Sequence, residues 1–262
     1  MPVTIAHPAA VLFFKQWCPR FFNFSALVAG SMAPDLAYVF HQFQVSAAAH
    51  SFTAKFLINL PAGLILLVVY FFSKNLIASQ LPSPHREYWR EQMQTPDFRR
   101  NRLAPSAILI LLGSILIGSV THVAWDSFTH EHGAAVAALP FLSLDLFNGY
   151  GLHVKVYKFL QYFSGVVGLI LISSFYRHEL SERSSPAVYS ASNKQATVKF
   201  LALLALSIVA AGVLTLVQYQ TESETTISHA VFLFVVNTTV LLPVTLLISG
   251  LWSAMQSSIE RI

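Results

Sequence analysis

Five stretches of this sequence, at 56–73, 103–125, 156–175, 197–217 and 230–252, are long and apolar enough to cross a bilayer as helices. A hydrocarbon core about 30 Å thick takes about 20 residues of helix. In each stretch Leu, Ile, Val and Phe occur all round the helical wheel rather than on one stripe. A helix apolar on every side has to be buried in protein or lipid, and for five of them lipid is the simpler answer. Composition agrees: 55% of the 262 residues are hydrophobic and 11% charged, against about 25% charged in ordinary soluble domains. The expected fold class is all-α, a polytopic transmembrane helix bundle of about five spans with an N-terminal re-entrant or interfacial helical hairpin.

The loops between these stretches differ in charge. The linker at 74–102 holds Lys74, Arg86, Arg90, Arg99, Arg100 and Arg102, whereas the one at 126–155 holds Lys155 alone. The linker at 177–199 is basic again, and 218–229 carries Glu222 and Glu224 with no Lys or Arg. Positive loops stay on the cytoplasmic side. The first and third linkers are therefore expected inside, together with the C-terminus, and the second and fourth outside. That orientation puts the start of the first stretch and the end of the second on one outward face. The net charge of +4 then reflects topology, and the partner it implies is the lipid bilayer rather than nucleic acid. Tyr88 and Trp89, among the arginines of the first linker, suit anionic headgroups.

Ahead of the first long stretch, residues 8–43 hold two apolar runs of about ten residues separated by Lys15-Gln-Trp-Cys-Pro-Arg20. Runs of about 10–14 residues are more often re-entrant or interfacial than spanning. If 9–17 enters and 24–32 returns, His7 and Asp35 finish at one level; a conventional span over 21–40 would separate them by a membrane thickness. The hairpin is the preferred reading, since turns at membrane depth are tolerated where protein covers them. Residues 1–14 lack a basic leading region and no small-residue cleavage pattern precedes Lys15, so no removable signal is expected. Cys18 is the sole cysteine, which excludes an internal disulfide and a thiolate cage and leaves nitrogen and oxygen as metal ligands. No repeat is visible. The expected organisation is a membrane domain over 1–180 followed by two further helices of the same bundle over 181–262.

The richest segment closes the second stretch: Ser119-Val-Thr-His122-Val-Ala-Trp-Asp126-Ser-Phe-Thr-His130-Glu-His132. Residues four apart drift only about 40° around a helix, so His122, Asp126 and His130 project from one face over about 12 Å. Ser114 and Gly118 continue that stripe, and small residues let another helix approach closely. The ligand-capable groups therefore face protein rather than lipid. Ligands at i and i+4 on one face are how zincins hold zinc, and a carboxylate between two histidines offers mixed nitrogen and oxygen ligation. A polar helix end can also simply meet water and headgroups, so this helix alone does not decide. Three more segments deliver similar groups to the same side: His7-Pro8, Gly30-Ser-Met-Ala-Pro-Asp35 and His50-Ser51. Each by itself has a bland reading as a cap, a turn or a satisfied polar residue. Four independent segments converging are harder to dismiss.

Together the opening Met-Pro-Val-Thr-Ile-Ala-His7-Pro-Ala-Ala, Ser25-Ala-Leu-Val-Ala-Gly-Ser-Met-Ala-Pro-Asp35, His50-Ser51 and His122-Val-Ala-Trp-Asp126-Ser-Phe-Thr-His130 resemble the DUF4184 family of bacterial membrane proteins. Through Tyr157-Lys-Phe-Leu-Gln-Tyr the likeness extends over about the first 180 residues. The chain is more distantly similar to YdjM-type inner-membrane metal-dependent hydrolases, which share an early His, a Pro-Asp, a His-Ser and a His-x3-Asp. The resemblance implies a metal site of His7, Asp35, His50, His122 and Asp126, with His130 as a ligand or a base beside it. It also implies the bacterial inner membrane as location, and the loop charges put the site near its outer face. The chain departs from the YdjM pattern in lacking its second Pro-Asp aspartate and in having Ala49 before His50 where that pattern has Thr. The first departure argues against a two-metal site.

The leading expectation is a membrane-embedded metal-dependent hydrolase. One divalent ion, zinc before others, would be held by His50, His122 and Asp126 with help from His7 and Asp35. His130 or Asp35 would act as the catalytic base toward a bound water, and the substrate would be a phosphoester or other amphiphilic ester. The alternatives are a metal-binding transporter, which would place its site at mid-membrane between inverted repeats, and a structural protein with a closed four-ligand site. Among the remaining polar residues, His41 is a weaker substitute for His50. Glu131 and His132 fall off the stripe and are expected in solvent, as are His85, His178 and His229. Asn59 and Asn237 read as helix–helix glue and Pro243 as a kink.

Overall fold

The computed structural model describes residues 4–40, 42–51, 53, 55–94, 105–149, 152–183, 194–221 and 227–259. His41, the arginines at 99, 100 and 102, and Glu222 and Glu224 lie outside the described residues. Among the described residues the protein is almost entirely helical. Five helices, Phe56–Ser79, Pro105–Thr129, Val156–Glu182, Lys194–Thr221 and His229–Ser258, are long and apolar enough to cross a membrane, which marks an integral membrane protein. Their outward faces carry bare apolar side chains such as Phe72, Leu109, Val209 and Trp252. Apolar side chains bared along each of the five helices suit a lipid solvent, because such exposure is costly in water.

The helices outrun the apolar stretches that announce them. The second continues to Thr129, beyond the expected end at 125, and the third runs to Arg183 instead of 175. Hydropathy marks the length in contact with lipid, whereas the backbone ladder continues wherever its hydrogen bonds can still be made. The extension carries Asp126 inside helical geometry, and His130 N still donates to Asp126 O at 3.1 Å.

The chain forms two compact units. The first comprises Met1–Leu67 and Asn101–Phe175. It opens with a 3₁₀ segment, Thr4–Val11, and a short helix α1, Leu12–Trp17. Helix α2, Phe24–Met32, follows and passes into a second 3₁₀ segment, Ala33–Phe40. Then come α3, Phe43–Ala49, a π-helical stretch, Lys55–Asn59, and the first turns of α4, Leu60–Ser79. After α5, His85–Gln94, which belongs to the second unit, the first unit resumes with α6, Pro105–Thr129, and α7, Ala134–Ala138.

A two-stranded antiparallel hairpin, β1 at Asp145–Gly149 and β2 at Leu152–Lys155, precedes α8, Val156–Arg183. This hairpin is absent from the sequence expectation; its register pairs Asn148 with His153 and Gly149 with Leu152.

Helix α2 lies directly on α6. A Cβ at Gly30 would sit 2.1 Å from Ile115 O, and one at Gly118 would sit 2.2 Å from Leu27 O. The two backbones thus touch where only glycine fits. Ala26, Ala29, Leu67 and Ile115 fill the core around this crossing. Asn23 caps α2 by accepting from Ala26 N at 2.9 Å, and its own N–H donates to Ser114 Oγ at 2.9 Å, pinning the start of α2 to α6.

The second unit comprises Val68–Arg100 and Tyr176–Ile262. Its main feature is the pairing of α9, Lys194–Thr221, with α10, Ile227–Ile259. Asn237 Nδ2 donates to Thr215 Oγ1 at 3.0 Å and to Gln218 Oε1 at 2.9 Å, which is the interhelical role expected of it. His85 is not simply a solvated histidine: its ring stacks on Tyr176, with Nδ1 2.8 Å from the hydroxyl.

Candidate metal centre

Four segments of the first unit end at one point. The Thr4–Val11 segment supplies His7, the segment after α2 supplies Asp35, the end of α3 supplies His50, and the last two turns of α6 supply His122 and Asp126. Local sequence explains each delivery. Pro34 follows the last turn of α2 and favours the tighter 3₁₀ course that brings Asp35 around. His50 caps α3, and Asn59 Nδ2 holds that corner by donating to Ala49 O and Ser119 Oγ, both at 2.8 Å.

Asp35, His50, His122 and Asp126 each offer a ligand atom, and these atoms all lie within 4.8 Å of one another. His122 Nε2 stands 3.4 Å from Asp35 Oδ1 and 3.3 Å from Asp126 Oδ2. His50 Nε2 stands 3.7 Å and 3.3 Å from the same two oxygens. Ligands bound tetrahedrally at about 2.0–2.1 Å are separated by edges of about 3.3–3.4 Å. The four nitrogen–oxygen separations, 3.3–3.7 Å, lie close to that edge.

The orientation of the imidazoles is fixed from behind. His122 Nδ1 lies 2.7 Å from Ser31 O, and His50 Nδ1 lies 2.7 Å from Ser46 O. A carbonyl can only accept, so each Nδ1 carries a proton and each ring turns Nε2 toward the carboxylates. Thr4 Oγ1 donates to Asp35 Oδ2 at 2.8 Å, orienting that carboxylate in the same way. Partners of this kind are the usual support of metal ligands.

Among the described residues, His122 Nε2 and His7 Nε2 are buried without a hydrogen-bond partner. A buried ring nitrogen facing two carboxylates needs a positive charge between them, supplied by a bound cation or by its own proton. The donor set, two imidazole nitrogens and two carboxylates, suits a divalent ion, and this buried group can bind one.

His7 joins the cluster from the side. Its ring stacks on His122 with centroids 3.6 Å apart, and its Nε2 lies 3.6 Å from Asp126 Oδ1 and 4.0 Å from Asp35 Oδ2. Burial, with His122 beside it, holds His7 well below the usual histidine range, so it is neutral. The contact with Asp35 is the one that the hairpin reading of residues 8–43 requires. His130 stands at the edge: Nδ1 is 3.6 Å from Asp126 Oδ2, and its side chain is 40% exposed. Burial lowers its pKa too, which leaves it neutral near pH 7. Gln161 of α8 approaches the other ring nitrogen at 3.1 Å.

On the side of His50 and His130 the cluster borders a cavity of about 880 Å³. Tyr38, Asp126, Lys155 and Lys158 are among its lining residues. Glu131 and His132 are exposed, as expected, yet they also line this cavity. Thr4, Gln161, Lys155 and Lys158 are not singled out by sequence reasoning. A glutamine inside a spanning segment is a usable signal for Gln161, but a threonine four residues from the start of a chain carries none.

A polytopic helical membrane protein with a buried His/Asp metal-type site is the class that fold and cluster define. The chain belongs to the family described as domain of unknown function DUF4184, whose profile matches residues 1–251. That match reaches well past the first 180 residues over which the resemblance is visible by eye. No curated protein and no solved structure matches the chain.

Proposed function

We propose that this protein is a membrane-embedded, metal-dependent hydrolase acting on a phosphoester or another amphiphilic ester. The observation that carries the reading is that the His/Asp cluster is sealed on one side and borders a cavity on the other, through His50, Asp126 and His130. Structural metal sites are closed, and catalytic sites keep an open position. His50, His122, Asp35 and Asp126 would hold the ion, with zinc favoured by the mixed nitrogen and oxygen donors. When bound, such an ion supplies Lewis acidity and lowers the pKa of a water on it toward about 7.

The chain's own residues account for the rest. His130, neutral and bordering the cavity, would take the proton from the attacking water at Nε2 in exchange for its bond from Gln161, while Asp126 holds Nδ1. Asp35 is better suited as a ligand than as the base, because His50 and His122 face one of its oxygens and Thr4 the other. Lys155 and Lys158 add positive charge to the cavity wall and suit an anionic headgroup. The loop charges support a C-terminus inside, with the site toward the outer face of a bacterial inner membrane.

The test is metal analysis of detergent-purified protein, followed by hydrolysis assays on phosphodiester, phosphomonoester and lipid-ester substrates, for wild type and for His122→Ala and Asp126→Ala. Wild type should hold at least one divalent ion per chain and turn over one of these classes, and both variants should lose both properties. Hydrolysis that persists in metal-free protein would overturn the assignment. Stoichiometric metal without any turnover would favour a metal-handling or structural protein.

A further inference from the structure

The two carboxylates of the centre do not present the same oxygen to every histidine. His50 and His122 face Asp35 Oδ1 and Asp126 Oδ2. His7 faces the opposite pair, Asp35 Oδ2 and Asp126 Oδ1, at 4.0 Å and 3.6 Å. His7 does not join Asp35, His50, His122 and Asp126 in the single mutually close ligand set. It is nevertheless one of the most buried polar side chains, 1% exposed, and its Nε2 is aimed at the carboxylates without a hydrogen-bond partner among the described residues.

A buried polar nitrogen in that position is unfavourable if nothing satisfies it. A fifth bond to the same ion would satisfy it, but His7 stands nearer the oxygens on the other side of both aspartates, Asp126 Oδ1 at 3.6 Å and Asp35 Oδ2, which also accepts from Thr4. We propose that Asp35 and Asp126 bridge two divalent cation positions, one completed by His50 and His122 and the other by His7 Nε2 with Asp35 Oδ2 and Asp126 Oδ1. The proposal rests on the metal-centre reading and deepens it. The lack of a second Pro-Asp aspartate argues against two ions, but each aspartate has a second oxygen, and in this fold those oxygens meet a histidine. Paired ions about 3.5–4 Å apart clamp the attacking and leaving oxygens of an in-line displacement, which narrows the ester class to phosphoesters.

Stoichiometry and magnetic coupling decide the matter without reference to activity. Metal-stripped protein reconstituted with Mn²⁺ and desalted should retain two ions per chain and show the electron paramagnetic resonance spectrum of an exchange-coupled pair. His7→Gln, which keeps a polar side chain of similar size, should retain one ion and show an uncoupled six-line signal. One ion per chain in the wild type, with an uncoupled spectrum, would overturn the second position while leaving the first intact. No retained ion of any kind, with zinc tested alongside, would remove the metal centre itself.

Discussion

A histidine has two ring nitrogens, and the partner of one decides what the other can do. In His50 and His122 that partner is a backbone carbonyl, Ser46 O and Ser31 O, so both rings present Nε2 to the aspartates. Sequence places Ser31 and Ser46 near the site, but it is their carbonyls that act, and nothing in a side-chain identity encodes that. The hydroxyl of Thr4 does the same for Asp35. Such outer partners are worth about 10–100-fold in metal affinity. Thr4→Val should therefore weaken metal binding by about that factor, as read by competition with a chromophoric chelator, while the thermal midpoint of the metal-free protein stays close to wild type. Unchanged affinity would show that the hydroxyl does not orient the carboxylate.

Between elements, the geometry of the centre depends on how closely α2 approaches α6. His122 and Asp126 ride on α6, whereas Ser31 O belongs to α2 and Asp35 follows directly from it, so any separation of the two helices pulls the ligand set apart. Gly118 sits at the contact, with Leu27 O 2.2 Å from where a Cβ would be, whereas a Cβ on Gly113 of the same helix would meet nothing within 4 Å. Overpacking of this kind typically costs about 1–3 kcal/mol. Gly118→Ala should lower the thermal midpoint and reduce metal retention, and Gly113→Ala should change neither. Equal behaviour of the two variants would mean that the crossing does not set the site. The stripe of Ser114, Gly118 and His122 makes α6 legible as a packing face, but its partner is not legible, because Gly30 lies in a run too short to be recognised as a full span.

For the whole molecule, orientation is the property that charge alone predicts. Reporter fusions after residue 133 and after residue 186 should report opposite sides of the membrane, with the first outside; a common side for both would refute the charge argument. The sequence by itself determined the helical membrane class, the five spans and the polar stripe on the second, because hydropathy and a 3.6-residue period are local properties that need no knowledge of neighbours. Tertiary structure alone decided which of these polar groups meet. His7 and Asp35 are 28 positions apart and Asp35 and His122 are 87 apart, and only the close crossing of α2 on α6 brings their ligand atoms within a few ångströms. It also decided which oxygen of each aspartate faces which histidine. That choice depends on backbone carbonyls and ring orientation, and these arise only once the helices are packed.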